Sequence, residues 1–321
     1  MTITGTIMDN LVPALTPPPK TISRLNLLTW LTDNPVIMKE LKGRMRGRRA
    51  FILLSAYLTL ISLFIGMIYI FLSDISSFAA TDPDFRQNVG KGLFSAVVLL
   101  ELLLVSFIGP GLTSGSITSE REHQTFDLLR TSLLSARDLV LGKLGSAFFY
   151  LFLLILTALP IESLAFLLGG VGLAEVLVSS LMLVVTAIFF CTLGLFFSSI
   201  MKRTLAATVS SYVVILLSLL MLVVIFFLGT FLDTTSSINI IQETALTIIL
   251  WLMISTNPLL AAMLSEMILI DEQNLFYTSN SLFGNSIPYL PSPWIIYVIV
   301  FLIVTILLMY LSIRFVERPD R

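Results

Sequence analysis

The sequence predicts an all-α polytopic membrane protein with six transmembrane helices. Hydrophobic residues make up 56% of the 321 residues and charged residues 12%, whereas soluble domains carry about 25% charged residues. The mean hydropathy is +0.97. Six apolar segments each reach the roughly 20 residues that a helix needs to cross a bilayer. They lie at residues 50–72, 92–113, 144–168, 174–199, 205–231 and 293–313. Unbroken apolar runs of this length are not barrel strands.

The distribution of basic residues predicts how these spans are oriented. Of the 19 Lys and Arg residues, 17 fall on one side of the predicted membrane, and only Arg86 and Lys91 fall on the other. Basic loops stay in the cytoplasm during insertion. We therefore expect both chain termini in the cytoplasm and the acidic loop at residues 73–91 outside.

The first 30 residues are predicted to be a flexible cytoplasmic tail, and residues 31–321 to form one six-span transmembrane domain. Pro17, Pro18 and Pro19 forbid a regular helix in the tail. Residues 1–30 also lack the apolar core of a signal peptide. The first span is therefore expected to act as the insertion signal.

A basic amphipathic helix is predicted over residues 34–49, directly before the first span. Ile37, Leu41 and Met45 recur every four residues and share one face. Such a helix is expected to lie along the inner headgroups, with its apolar face toward the membrane lipids and its basic face toward anionic headgroups. The alternative is a simple positive anchor for the first span.

The longest inside loop, residues 114–143, has the pattern of a docking segment. Ser119 and Glu122 have the spacing of a capping box. On a helix that begins there, Phe126, Leu129 and Leu133 line one face. A connector between two spans can be far shorter than this loop. An apolar stripe on a charged helix therefore favours docking to a soluble partner.

Residues 232–292 do not fit a simple span. The part from 244 to 270 is apolar, but Asn257 and Pro258 interrupt it. A crossing here would place Arg314, Arg318 and Arg321 on the wrong side of the membrane. We therefore expect a broken pair of helices that is either re-entrant or on the outer surface. An irregular outer loop is expected over residues 271–292.

The sequence offers no catalytic constellation. It has one His, His123, and one Cys, Cys191, which are too few for a zinc site. It lacks the glycine-rich loop that holds ATP phosphates. We therefore expect a protein that is not an enzyme by itself, with no metal, no cofactor of its own and no nucleic-acid partner.

Two acidic residues fall within the predicted spans. Glu101 lies mid-way along the second span, where it is either a transport-pathway residue or a neutral acid packed against a neighbouring helix. Glu162 follows Pro160 near the outer end of the third span. We expect Glu162 at the surface, with an outer vestibule as the alternative.

Two stretches resemble the ABC-2-type permeases, the membrane subunits of ATP-binding-cassette exporters. The first is Asn-Pro-Val-Ile-Met-Lys-Glu-Leu-Lys-Gly-Arg-Met-Arg-Gly-Arg-Arg at 34–49. The second, at 117–143, contains the family pattern Glu-Arg-Glu-x-x-Thr-x-x-x-Leu followed by a turn and Leu-Gly-Lys. Leu133 stands where the family has a proline in that turn. The resemblance covers about 45 residues and, with the six-span plan, nearly the whole chain.

The resemblance implies a coupling helix that docks into a cleft of a separate ATPase subunit. The basic entry helix at 34–49 would lie at the inner membrane surface and also approach that subunit. The coupling helix would run from Glu120 to Leu129. Its implied ATPase-coupling residues are Glu120, Arg121, Glu122, Thr125, Phe126 and Leu129. The implied residues of the basic helix are Lys39, Glu40, Arg44 and Arg46.

The resemblance also implies the assembly and its location. Two permease chains, identical or different, would join two ABC ATPase subunits that hold ATP and Mg²⁺, in a bacterial or archaeal cytoplasmic membrane. The implied function is an ATP-driven exporter permease. Two alternatives stay open from the residues: a membrane anchor that recruits a soluble complex, and an ion-coupled secondary transporter with Glu101 as its carrier.

Overall fold

The computed structural model of the chain describes residues 35–76, 83–126, 135–167, 171–234, 240–272, 274–278 and 289–317. These residues form ten α-helices and two very short strands. The helices are α1 (Pro35–Met45), α2 (Arg48–Ser76), α3 (Pro83–Thr113), α4 (Thr118–Glu122), α5 (Ala136–Leu167), α6 (Leu173–Ile200), α7 (Thr204–Thr234), α8 (Ile240–Ser255), α9 (Pro258–Glu272) and α10 (Pro293–Glu317). The strands β1 (Tyr277–Thr278) and β2 (Leu290–Pro291) pair antiparallel. The predicted tail at 1–30 lies outside the described residues.

Six helices are long and apolar enough to cross a membrane, as the sequence predicts. Their apolar stretches are Ala50–Ile68, Val89–Glu122, Ala136–Ser163, Leu173–Ile200, Thr204–Thr230 and Pro293–Glu317, of which the second begins in α3 and runs into α4. The predicted all-α, polytopic class is therefore confirmed. Below, the α4 end is the end of the bundle where α1 and α4 lie, and the opposite end carries β1 and β2.

Helix α6 is the centre of the bundle and packs most extensively along α3 and α10. Glycine residues allow α6 to approach α3 closely. A Cβ on Gly194 would stand 2.8 Å from the Pro110 Cα and 2.3 Å from the Thr113 Oγ1, and a Cβ on Gly109 would stand 3.2 Å from the Phe190 Cβ. Small residues at a helix contact let the two backbones pack closely in lipid, where the hydrophobic effect does not drive helices together.

Helices α2 and α7 form the outer faces of the bundle. Large apolar side chains on them are strongly exposed, such as Phe51 at 73% and Leu205 at 77%. An apolar surface of this extent would be unstable in water. It fits a surface that acyl chains cover.

The apolar segment after α7 is broken, as predicted. Helices α8 and α9 meet at an angle of 107°. The Asn257 Oδ1 accepts hydrogen bonds from the backbone N–H groups of Leu259 and Leu260, so it caps α9, and Pro258 occupies the first turn. The Asn257 Nδ2 also donates to the Ser218 carbonyl at 2.7 Å, which ties the break to α7.

The predicted amphipathic helix is α1, but its burial differs from the prediction. It ends at Met45, and Gly47 then takes a φ of +115°, which glycine adopts without strain. Ile37, expected to face lipid, is 2% exposed and lies against Gly145 of α5, within 3.4 Å of where a Cβ would stand. The amphipathic pattern did not distinguish lipid from a glycine-lined groove on a neighbouring helix.

Candidate functional site

The five-residue helix α4 is the point where several long helices meet. It has no capping side chain of its own. Instead, the Ser198 Oγ of α6 accepts hydrogen bonds from the backbone N–H groups of Ile117 and Thr118, at 2.9 and 3.1 Å. These N–H groups have no partner within α4 itself, so the start of α4 is fixed to the central helix of the bundle.

The last residue of α4 caps the next helix. The Glu122 carboxylate accepts the backbone N–H of Thr204 at 2.7 Å and its hydroxyl at 2.9 Å, at the first residue of α7. A carboxylate at a helix N-terminus is favoured because it satisfies free N–H groups and the helix dipole. The capping box predicted between Ser119 and Glu122 is therefore wrong: α4 begins at Thr118, and Glu122 caps α7.

A buried lysine joins α4 to α1. The Lys143 Nζ of α5 donates to Oε1 of Glu40 and to Oε1 of Glu120, both at 2.8 Å. The Lys143 side chain is only 3% exposed, and the two carboxylates are about a quarter exposed. Ser146, one turn further along α5, donates to the second Glu40 oxygen at 3.0 Å. We call Glu40, Glu120, Lys143 and Ser146 the lysine cluster.

Arg44 extends the lysine cluster to α3. Its Nη2 lies 3.6 Å from the Glu40 Oε2 and donates to the Leu112 carbonyl at 3.1 Å. Burial of Glu40 opposes ionisation, but the Lys143 ammonium and the hydrogen bonds from Lys143 and Ser146 hold the pKa of Glu40 below its ordinary value. Glu40 is therefore ionised at neutral pH, and the cluster carries charge-assisted hydrogen bonds.

The helix expected from Glu120 to Leu129 is interrupted. It stops at Glu122, and Gln124 takes a left-handed φ of +57°. The Thr125 N–H donates to the Glu120 carbonyl and the Gln124 N–H to the Arg121 carbonyl, which is a Schellman end. Leu129 lies outside the described residues.

Besides Glu120 and Glu122, two further predicted docking residues make contacts inside the chain. Phe126 is 4% exposed and packs in a cluster that includes Leu195 of α6 and Val316 of α10. The Arg121 guanidinium lies 5.1 Å from the centre of the Phe126 ring, and Nη1 donates to the Met201 carbonyl. Glu122 and Thr125, by contrast, are exposed, and so are Lys39 and Arg46 of α1.

We did not identify from the sequence the residues of other helices that hold α1 and α4. These are Lys143, Ser146, Ser198 and Thr204. The sequence does carry one signal, because Lys143 stands inside an apolar stretch and therefore needs a partner on burial. A serine or threonine in a span gives no such signal, since its hydroxyl can bond its own helix.

The structure also places Glu101 and Glu162 in the interior. They are 0% and 3% exposed, on α3 and α5. The expectation of a surface position for Glu162 is therefore wrong, because its side chain is buried in the bundle although Pro160 and Ser163 beside it are exposed. Glu101 is buried as both of its sequence interpretations require.

No family model matches this chain, and no curated protein matches it.

Proposed function

We propose that this chain is the membrane-spanning permease subunit of an ATP-driven exporter of the ABC-2 type. The observation that carries the proposal is the position of Lys143, which ties the two segments that resemble that family to each other and to a membrane helix. Glu40 comes from the first segment and Glu120 from the second.

The contacts around α4 suit the transmission of force. A movement of α4 would pull on α6 through Ser198, on α7 through Glu122, and on α5 and α1 through Lys143. These contacts are directional hydrogen bonds. Those of Lys143 and Glu122 are charge-assisted, and the Lys143 ammonium is largely shielded from water. A push on this short helix would therefore reach three membrane helices at once.

The exposed residues of the α4 turn are where the ATPase subunit would dock. Glu122, His123, Gln124 and Thr125 are all exposed, whereas Phe126 is buried. In this proposal the ATPase subunits hold ATP and Mg²⁺, and their closure on ATP presses on the turn. The permease supplies the pathway and no catalytic residue.

The proposal is tested by isolating the solubilised chain from its native membrane and assaying the preparation for ATP hydrolysis. We expect a stoichiometric hydrolysing subunit with the wild-type chain. The doubly substituted H123E/T125E variant, which alters only exposed side chains of the turn, is expected to lose it. Tyr289→Glu is the matched control, because Tyr289 is 67% exposed at the opposite end.

Two results would overturn the proposal. One is a wild-type preparation with no hydrolysing subunit, which favours a scaffold or a secondary transporter. The other is an H123E/T125E variant that keeps the subunit as well as Tyr289→Glu does, which would place the docking surface elsewhere.

A further inference from the structure

A second polar group lies deep in the bundle, away from α4. Glu101 of α3 and Glu162 of α5 are buried and lie close enough for their charges to act on each other. Within the described residues, none of their four carboxyl oxygens has a hydrogen-bond partner outside the pair. Glu162 lies 19 residues beyond Lys143 on α5. At 1.5 Å per residue this pair is about 28 Å from the lysine cluster along the helix.

The groups around this pair are also buried. Tyr57 of α2 is 4% exposed, its hydroxyl has no partner among the described residues, and both carboxyl groups act on it. Glu266 of α9 is 5% exposed, with the Ser95 side chain of α3 beside it, and Glu162 and Glu175 of α6 act on it. In the described part of the chain, the ionisable groups that act on this region are acidic or phenolic, and none is a cation.

Two ionised carboxylates side by side in a dry interior are unfavourable for two reasons. Each loses its hydration, and each repels the other. Such a pair needs a positive charge. The described residues contain no group of three or more His, Cys, Asp and Glu arranged to hold a metal ion. A proton requires neither a cavity nor a third ligand.

We propose that Glu101 and Glu162 form a proton-binding site that holds one proton between their carboxyl groups. One negative charge remains on the pair, and it acts on the buried Tyr57 hydroxyl. The bound proton joins α3 to α5 at this level of the bundle. Its release to water leaves two carboxylates, whose repulsion drives the two helices apart. This site lies outside the coupling machinery and does not depend on the permease proposal.

Infrared difference spectroscopy of the full chain in lipid nanodiscs detects the proton directly. A protonated carboxyl group has a carbonyl stretch that shifts when H₂O is replaced by D₂O. At neutral pH we expect this band in the wild-type spectrum and its loss in both Glu101→Gln and Glu162→Gln. Glu122→Gln, which changes an exposed carboxylate, is the control and should leave the band intact. A band from the neighbouring buried Glu266 is common to all these spectra and cancels in their differences. Spectra of both pair variants that equal the wild-type spectrum overturn the proposal.

The pH dependence of unfolding gives a second, independent readout. At neutral pH the native pair binds a proton that the solvated carboxylates of the unfolded chain lack. The free energy of unfolding therefore falls as the pH rises through the range where the native pair releases that proton. Glu101→Gln should flatten that part of the profile. Tyr57→Phe keeps both carboxyl groups and should shift the same step without abolishing it. If the Glu101→Gln and wild-type profiles coincide, the site binds no proton.

Discussion

Replacement of Lys143 by methionine tests whether the lysine cluster holds α1, α4 and α5 together. The substitution keeps most of the volume and removes the ammonium. Two charge-assisted hydrogen bonds of 2.8 Å are lost. Glu120 then loses its counter-charge, and Glu40 keeps only the more distant Arg44, at 3.6 Å. A hydrogen bond to a charged group contributes about 1.5–3 kcal/mol, and removal of one partner of a buried pair costs about 3–5 kcal/mol.

The exposure of the three side chains indicates where the loss of stability falls within the range of about 3–5 kcal/mol. The ammonium is almost fully buried, but the two carboxylates are 22% and 24% exposed, so water can replace part of what they lose. We therefore expect Lys143→Met to destabilise the chain by about 3 kcal/mol. A double-mutant cycle with Glu40→Gln should give a coupling energy of about 1–2 kcal/mol, because the two residues are in direct contact.

Equilibrium unfolding in mixed micelles measures these differences. Lys39→Met is the matched control, because Lys39 is exposed on α1, and a change within about 0.5 kcal/mol is expected. The reasoning is refuted if Lys143→Met is as stable as Lys39→Met. It is also refuted if the cycle gives no coupling, since the ion pair would then contribute nothing to stability.

Three further predictions follow from single contacts. Gly194→Ala places a methyl group 2.8 Å from the Pro110 Cα, so overpacking should lower the free energy of unfolding by about 1–3 kcal/mol. An unchanged thermal midpoint would show that α3 and α6 do not pack this closely. The pKa of Glu40 is lowered in the folded chain, so the stability that its carboxylate contributes is complete above the ordinary pKa of 4.5 and is lost as the pH falls through the folded pKa. Glu40→Gln should remove that loss of thermal stability at acid pH. A variant that still shows the loss would assign it to another group. Glu122→Gln weakens the cap on Thr204 and should speed amide exchange in the first turn of α7. Unchanged exchange would mean that the cap is not formed.

Much of the fold could be predicted from the sequence because lipid imposes simple rules. Backbone groups must bond within a span, so six long apolar runs had to be helices. The break at Asn257 was also predictable, since asparagine followed by proline both ends one helix and starts the next.

The interior contacts could not be predicted in the same way. Ile37 has the spacing of a lipid-facing residue, yet it fills the groove that Gly145 leaves on α5. Glu162 was expected at the surface, yet neighbouring helices cover it. The periodicity of a sequence indicates that a helix face is apolar or that a charged residue lies near a helix end. It does not report which helix lies opposite, and that depends on the packing of distant segments.

The candidate site was only partly predictable, because its residues come from segments that are distant in the sequence. The sequence singled out Glu40 and Glu120 in two separate segments, but nothing linked them to each other. The link is Lys143, which is 23 residues from Glu120 and 103 from Glu40 in the sequence. Only the folded chain places all three side chains within hydrogen-bonding distance.

The proposed docking of an ATPase subunit on the turn after α4 is tested most directly by a site-specific crosslink. The chain has one cysteine, Cys191, which is fully buried, so Thr125→Cys supplies a single reactive thiol on the exposed turn. Our account predicts a crosslinked product, formed in native membranes, that contains an ATP-hydrolysing subunit, and none from Tyr289→Cys at the opposite end. A Thr125→Cys chain that labels readily with a small thiol reagent but forms no such product would contradict the account.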